Sequence, residues 1–225
     1  MKNVANQFNK VSKEYDSQRK SLIPVFDDFY KIAINSIKIK NLNPNVLEIG
    51  TGTGLFTEIF LEKYPNAKMD LVDIAEDMMD IAKERFKENK NLNFYLENIV
   101  EFKPKKNKQY DAVISSLAIH HLTDTEKEQL YKNIGEWIVP NGIFVNAEMI
   151  AGETEYLNKM YEDWQVQVAI DSGLEKSEIE KALERMNLDI KAPVSKQLKW
   201  LENAGFSHVD CIYKTYSLGV IWAKK

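Results

Sequence analysis

"VLEIGTGTGLF", residues 46–56, decides how the rest of the chain is read. Val46, Leu47 and Ile49 flank Glu48 in a strand-like run, which then breaks into Gly50, Gly52 and Gly54 before a helical apolar pattern begins. A strand, a glycine turn and a helix open many nucleotide-binding α/β folds, because glycine has no Cβ to keep a ligand off the backbone. Leu55 stands where the dinucleotide fingerprint G-x-G-x-x-G needs its third glycine, so a pyrophosphate is not the expected ligand. Glu48 points the same way: a carboxylate at the strand end repels phosphate and suits a cationic or hydroxyl-bearing group.

Moving outward, short apolar runs alternate with amphipathic segments. "AKMDLVDI", "LNFYLEN", "YDAVISSLAI" and "IFVNAEM" read as strands. Between them, "AEDMMDIAKERFKE" carries Met78, Ile81, Ala82 and Phe86 at helical spacing, and Thr123 with Glu126 forms a capping box for a further helix. This alternation predicts a mostly parallel sheet with helices on both faces. Residues 151–192 break the rhythm with two helical stretches, the second opening on a Ser177–Glu180 capping box. "PVSKQLKWLENAG" resumes it, with Pro193 in a first turn and Gly205 past the end. "HVDCIYK" and "YSLGVIWAK" are separated by too little chain for anything but an antiparallel hairpin.

The composition fits a single domain: 225 residues, 44% hydrophobic and 28% charged, with a net charge of −4. An acidic balance weighs against nucleic acid as a partner, and the lysine-rich "KPKKNK", 103–108, reads as a solvated loop. One cysteine, Cys211, leaves no internal disulfide and no cysteine-based metal site. The N-terminus has no signal-peptide core, and no apolar run approaches the roughly 18 residues of a membrane span, so a cytoplasmic protein is expected.

Asp73 closes the second strand about 20 residues beyond the turn, where doubly wound folds place the acid that binds ribose hydroxyls. The competing reading is an N-cap for the following helix.

"VLEIGTGTGLF", "DLVDIAEDMMDIAKERF" and "YDAVISSLAIHHL" together resemble the successive motifs of the class I S-adenosylmethionine-dependent methyltransferases. The resemblance implies an α/β, Rossmann-like fold with a seven-stranded, mostly parallel sheet, a reversed C-terminal hairpin and a helical lid insertion. One domain then spans 1–225, with N-terminal helices over the cofactor (1–43), a cofactor-binding core (44–150), the lid (151–192), and the last helix and hairpin (193–225). It further implies S-adenosyl-L-methionine as cofactor and S-adenosylhomocysteine as product. Gly50, Gly52 and Gly54 would line its methionine part and Asp73 would hold its ribose. Ile74, Ala75 and Met78 would flank the adenine, Asn98 would contact the adenine amino group, and the Ile99 amide would meet the ring. Ser115, Ser116 and Leu117 would neighbour the methionine moiety. "FNKVSKEYDSQRKSLIPVFDDFY" resembles the family's pre-sheet helices, with Tyr15 and Arg19 nearest the methionine carboxylate.

His120, His121 and Glu148 are the candidate catalytic groups. Adjacent histidines in a helix or strand diverge, so a shared metal is not expected. Tyr156, Met160, Tyr161 and Trp164 would form a lid wall over a small-molecule acceptor, joined by Trp200, although the spacing of the first four fits core packing equally well. The C-terminal segments are also similar to carboxy-S-adenosylmethionine synthases, which act in tRNA wobble-uridine modification. Those relatives hold the extra carboxylate with an arginine whose position is taken here by Trp200. An indole cannot neutralise a carboxylate, which favours the ordinary cofactor. Three alternatives stay open: a carboxylated cofactor or tRNA-linked enzyme, a non-catalytic cofactor-binding protein and, more remotely, a nicotinamide dehydrogenase. A homodimer is left open.

Overall fold

The computed structural model describes residues 2–9, 15–105 and 108–225, without the side chains of residues 2–4, 15, 17 and 18. Three helices come first: α1 (Lys2–Asn9), α2 (Tyr15–Leu22) and α3 (Phe26–Ser36). The alternating core follows as β1 (Asn45–Ile49), α4 (Leu55–Lys63), β2 (Lys68–Asp73), α5 (Glu76–Arg85), β3 (Leu92–Leu96), β4 (Tyr110–Ser116), α6 (Asp124–Trp137) and β5 (Ile138–Met149). The insertion supplies α7 (Glu155–Asp171) and α8 (Lys176–Met186), before α9 (Val194–Asn203), β6 (His208–Thr215) and β7 (Leu218–Lys224).

The strands form one seven-stranded sheet in the order β3-β2-β1-β4-β5-β7-β6. β1 to β5 run parallel, and β7 lies antiparallel between β5 and β6. This is the Rossmann-like arrangement with the reversed hairpin anticipated from the strand pattern. Alternate residues of a strand face opposite sides, and the core divides accordingly. Val46, Ala112 and Ile114 join Phe29, Phe56 and Phe60 on one face; Leu47, Ile49 and Val113 join Leu130, Ile134 and Leu201 on the other. Both faces are therefore covered, which is why these strands read as nearly unbroken apolar runs. No helix among the described residues is long and apolar enough to cross a membrane.

Local signals fared unevenly. Thr123 and Glu126 do form the capping box of α6, with the Thr123 N–H donating to Glu126 at 2.8 Å. α8 instead begins at Lys176, with its N-cap Glu175 two residues before the expected Ser177 and donating its N–H to Glu178. Pro193 is the N-cap of α9 rather than part of its first turn, while Gly205 follows the helix at φ +90° as expected. β5 starts at Ile138, five residues before the expected run. The Pro140–Gly142 turn survives as an irregularity within it: Tyr110 pairs with Ile138, but Ala112 already pairs with Ile143. The insertion leaves and rejoins the body at one point, where Ala151 bridges Pro193 and its N–H donates to Ala192 at 3.1 Å.

Candidate functional site

The strand order reverses its direction of growth between β1 and β4, and a cleft opens at their carboxyl ends. Its floor is the glycine turn. The N–H groups of Gly50 and Thr51 both donate to the Val72 carbonyl, at 2.8 and 3.1 Å, stitching the turn to β2. Gly50 sits at φ +72°, and a Cβ there would lie 2.1 Å from that of Ala118, so no larger residue fits. Gly52, at φ +56°, faces open space and donates its N–H to Asp73 Oδ2 at 2.7 Å. Gly54 lies under the turn against Phe86 and does not line the cleft.

Asp73 is therefore clamped on both oxygens, since Oδ1 accepts from the Ala75 N–H at 2.8 Å. It is not a helix cap; Ala75 holds that position. Burial raises its pKa against the opposing pull of those backbone N–H groups. Glu48 is fully buried below the turn, with one oxygen accepting from the Thr57 hydroxyl and the other without a partner. Burial pushes this carboxyl up to about 8, opposed by Thr57 and assisted by the charge of Asp73.

Ile74, Ala75, Met78 and Ile99 form the apolar end of the cleft, and α1 covers it with Ala5 and Phe8 packed on Met78 and Ile74. Ser116 lines the opposite end and donates to Tyr30 Oη at 3.0 Å. Ser115 does not reach the cleft, because its side chain points the other way along β4 and donates to the Ile49 carbonyl. Asn98 also stays out, spending its side-chain oxygen on the Val100 N–H in a local turn. Arg19 lines the cleft from α2; the side chain of Tyr15 lies outside the described residues, as do Lys106 and Asn107 of the lysine-rich loop. Asp16, which no motif marked, fastens α2 in place: Thr53 donates to it at 2.5 Å and Arg85 pairs with it.

A second cavity adjoins the first. Phe8, Arg19, Leu117 and His121 line both. Leu117 holds φ +50°, a conformation costly for a non-glycine residue, at the point where β4 ends between the two spaces. Of the expected lid wall, Trp164 lines this cavity and stacks on Tyr216 at 4.9 Å, and Tyr161 is buried edge-on to the same ring. Tyr156 is 79% exposed and Met160 is also exposed, because the inward stripe of α7 runs through Tyr161, Gln165 and Ala169 instead. Trp200 is buried in the core against Tyr131 on the far side of α9 and lines neither cavity. Its identity therefore says nothing about what the cleft holds.

The two histidines do not diverge. They end a single 3₁₀ turn, Ile119–His121, with ring centroids 4.0 Å apart, and both meet Asp189 from the insertion. His120 Nε2 and His121 Nδ1 lie 3.4 and 3.5 Å from Asp189 Oδ1. Asp189 is brought there by backbone: the Ile190 N–H donates to the His120 carbonyl at 2.8 Å, and buried Lys127 ties the Leu122 and Ile190 carbonyls together. Glu148 is buried beneath His120, accepting from its N–H at 3.0 Å and contacting its Nδ1 at 2.5 Å, with further bonds from Asn146 and the Met149 N–H. It lines neither cavity, so it positions His120 and does not touch an acceptor. Burial pulls the His120 ring down, but Glu148 and Asp189 outweigh it and push the ring up to about 9. His121 goes the other way, to about 3, through burial and the neighbouring positive charge of His120. Asp189 is held below the ordinary carboxylate range, burial being outweighed by His120 and His121.

The methyltransferase-domain family matches residues 46–142. Malonyl-[acyl-carrier protein] O-methyltransferase 2 of Ilyobacter polytropus is 31% identical over 144 residues, 64% of this chain and 52% of that protein. The chain thus spans about half the length of that relative. Carboxy-S-adenosyl-L-methionine synthase of Nautilia profundicola is 24% identical over 95% of this chain and 92% of its own. Human N-acetylserotonin methyltransferase, solved in complex with SAM, superposes with a TM-score of 0.59 at 16% identity, covering 94% of this chain and 57% of that one.

Proposed function

We propose that this chain is a class I S-adenosylmethionine-dependent methyltransferase that transfers the cofactor's methyl group to a small-molecule acceptor held in the second cavity. The observation that carries this is the pair of adjoining cavities with a shared wall at Phe8, Arg19, Leu117 and His121.

The first cleft has the donor set that S-adenosylmethionine requires. Asp73 is fixed by two backbone N–H groups and keeps lone pairs for the ribose hydroxyls. The side chains of Ile74, Met78 and Ile99 offer an apolar slot for the adenine. The unpartnered oxygen of Glu48 and the Gly52 position, open to the cleft, suit the amino-acid end. Bound there, the cofactor supplies a sulfonium-activated methyl group. The chain's own part is alignment: Leu117 fixes the doorway between the cavities, and Trp164, Met149 and Leu22 give the acceptor side apolar walls that exclude water. Isothermal titration with S-adenosylmethionine tests the reading. Saturable binding by the wild type is expected, weakened by roughly tenfold or more in Asp73→Ala through loss of charged hydrogen bonds. Absence of binding by the wild type, or unchanged binding in the variant, overturns it.

A carboxylated cofactor is the second reading, favoured by the near full-length similarity to carboxy-S-adenosyl-L-methionine synthases and by Arg19 on the cleft wall. Mass spectrometry of ligand retained through purification separates the two, since the carboxylated form is heavier.

A further inference from the structure

We infer that His120, His121 and Asp189 form a divalent-metal site on the wall of the acceptor cavity. Each offers one ligand atom, and these atoms lie within 4.8 Å of one another. The two resolved edges of this triangle, 3.4 and 3.5 Å, are long for hydrogen bonds, which centre near 2.9 Å. They match the roughly 3.4 Å that separates two ligands bound at about 2.1 Å in tetrahedral geometry.

Three further observations point to a cation. First, both ring nitrogens of His121 and one oxygen of Asp189 have no hydrogen-bond partner, although His121 and Asp189 are only 6% and 4% exposed. Buried polar atoms are otherwise almost always paired, and a metal bound through one His121 nitrogen would supply a partner that this ring lacks. Second, Glu148 takes the Nδ1 side of His120 at 2.5 Å, which leaves Nε2 aimed at Asp189. A carboxylate behind a histidine whose other nitrogen faces outward is the outer-shell arrangement that orients metal-bound imidazole. Third, the scaffold is stiff: Ile190 and Lys127 lock residue 189 onto the turn that carries both histidines.

All three groups line the acceptor cavity, so a cation with only three protein ligands keeps an open position toward it. Two imidazoles and a carboxylate suit a first-row ion of the zinc or iron(II) kind. In the methyl-transfer reading, on which this role alone rests, the open position holds an oxygen or sulfur donor atom of the acceptor against the cofactor side of the doorway. The site itself stands without that reading.

The full chain, stripped with chelator and titrated calorimetrically with Zn²⁺, decides the matter. One equivalent is expected to bind the wild type, with affinity falling at least tenfold in His121→Ala and in Asp189→Asn. His208→Ala, at the exposed start of β6, is expected to bind like the wild type. Substituting Co²⁺ is expected to give the visible absorption of a low-coordinate site, a readout that misfolded protein does not mimic. Circular dichroism confirms that each variant is folded, and Asp189→Asn is expected to keep its S-adenosylmethionine affinity because Asp189 does not line the cofactor cleft. No saturable Zn²⁺ binding by the wild type, or equal binding by the folded ligand variants, overturns the metal site. S-adenosylmethionine binding that persists under either outcome leaves the cofactor reading intact.

Discussion

The two cavities that meet at Leu117 are built in opposite ways. The cofactor cleft is made mostly of backbone: a turn pinned to the Val72 carbonyl, N–H groups aimed at Asp73, and positive φ angles at Gly50 and Gly52. The second cavity is made of side chains, beside a buried group of two histidines and two carboxylates drawn from β4's end, β5 and the insertion. A backbone-built site fails when the chain cannot take its path. A site built from buried charges fails when one partner is removed.

The largest expected effect breaks the second kind. Glu148→Ala takes from His120 the nearer of its two buried carboxylates and is expected to cost about 3–5 kcal/mol. In a chain of this size that lowers the melting temperature by roughly 6–20 °C. S-adenosylmethionine affinity at a temperature where the variant is folded is expected to stay at the wild-type value, which calorimetry checks. A variant that melts like the wild type would show that the buried pairing does not hold this region.

The next effect breaks the first kind. Gly50→Ala drives a Cβ into Ala118 and strains φ, for about 2–4 kcal/mol in all. Gly52→Ala meets nothing, so its stability cost is expected near 1 kcal/mol, while its Cβ enters the cleft. The two neighbours are thus expected to separate, one losing mainly melting temperature and the other mainly cofactor affinity. Thermal melts and ligand titrations on both variants compare them directly.

The smallest effect sharpens the contrast through pH. The folded-state pKa of Glu48, about 8, lies above its ordinary value of 4.5, so the folded chain holds a proton that the unfolded chain releases. Its stabilising contribution is complete below the lower value and is lost as pH rises to the higher one. Denaturant unfolding of the ligand-free protein at about pH 5, 6.5 and 8 is expected to show that decline. Glu48→Gln is expected to flatten it, with Asp73, shifted in the same direction, contributing the remainder.

The same contrast explains what could be read before folding. The glycine turn and Asp73 lie within one strand–helix–strand stretch, so local pattern and chemistry marked them together, while Ile74 and Met78 came from the family resemblance. The β-hairpin at the end followed from chain length alone. Asp189 had no such signal, because it follows α8 in a stretch with no motif, and the Ile190–His120 backbone bond together with Lys127 carries it to the histidines. The expected divergence of His120 and His121 assumed a regular helix or strand, whereas a 3₁₀ turn opposite a single carboxylate gathers both rings. On α7, a list of large apolar residues did not distinguish inward from outward, which is why Tyr156 and Met160 proved exposed while Tyr161 and Trp164 did not.

The bridge between Ala151 and Pro193 has a consequence for how such a protein diversifies. Because the segment between them departs and returns at adjoining points, it forms a cartridge between β5 and α9 whose side chains line the second cavity and not the first. Residue 189 travels inside that cartridge. Exchanging the segment is therefore expected to change the wall of the second cavity and the third member of the histidine cluster in one step, while the first cleft, which it does not line, keeps its residues.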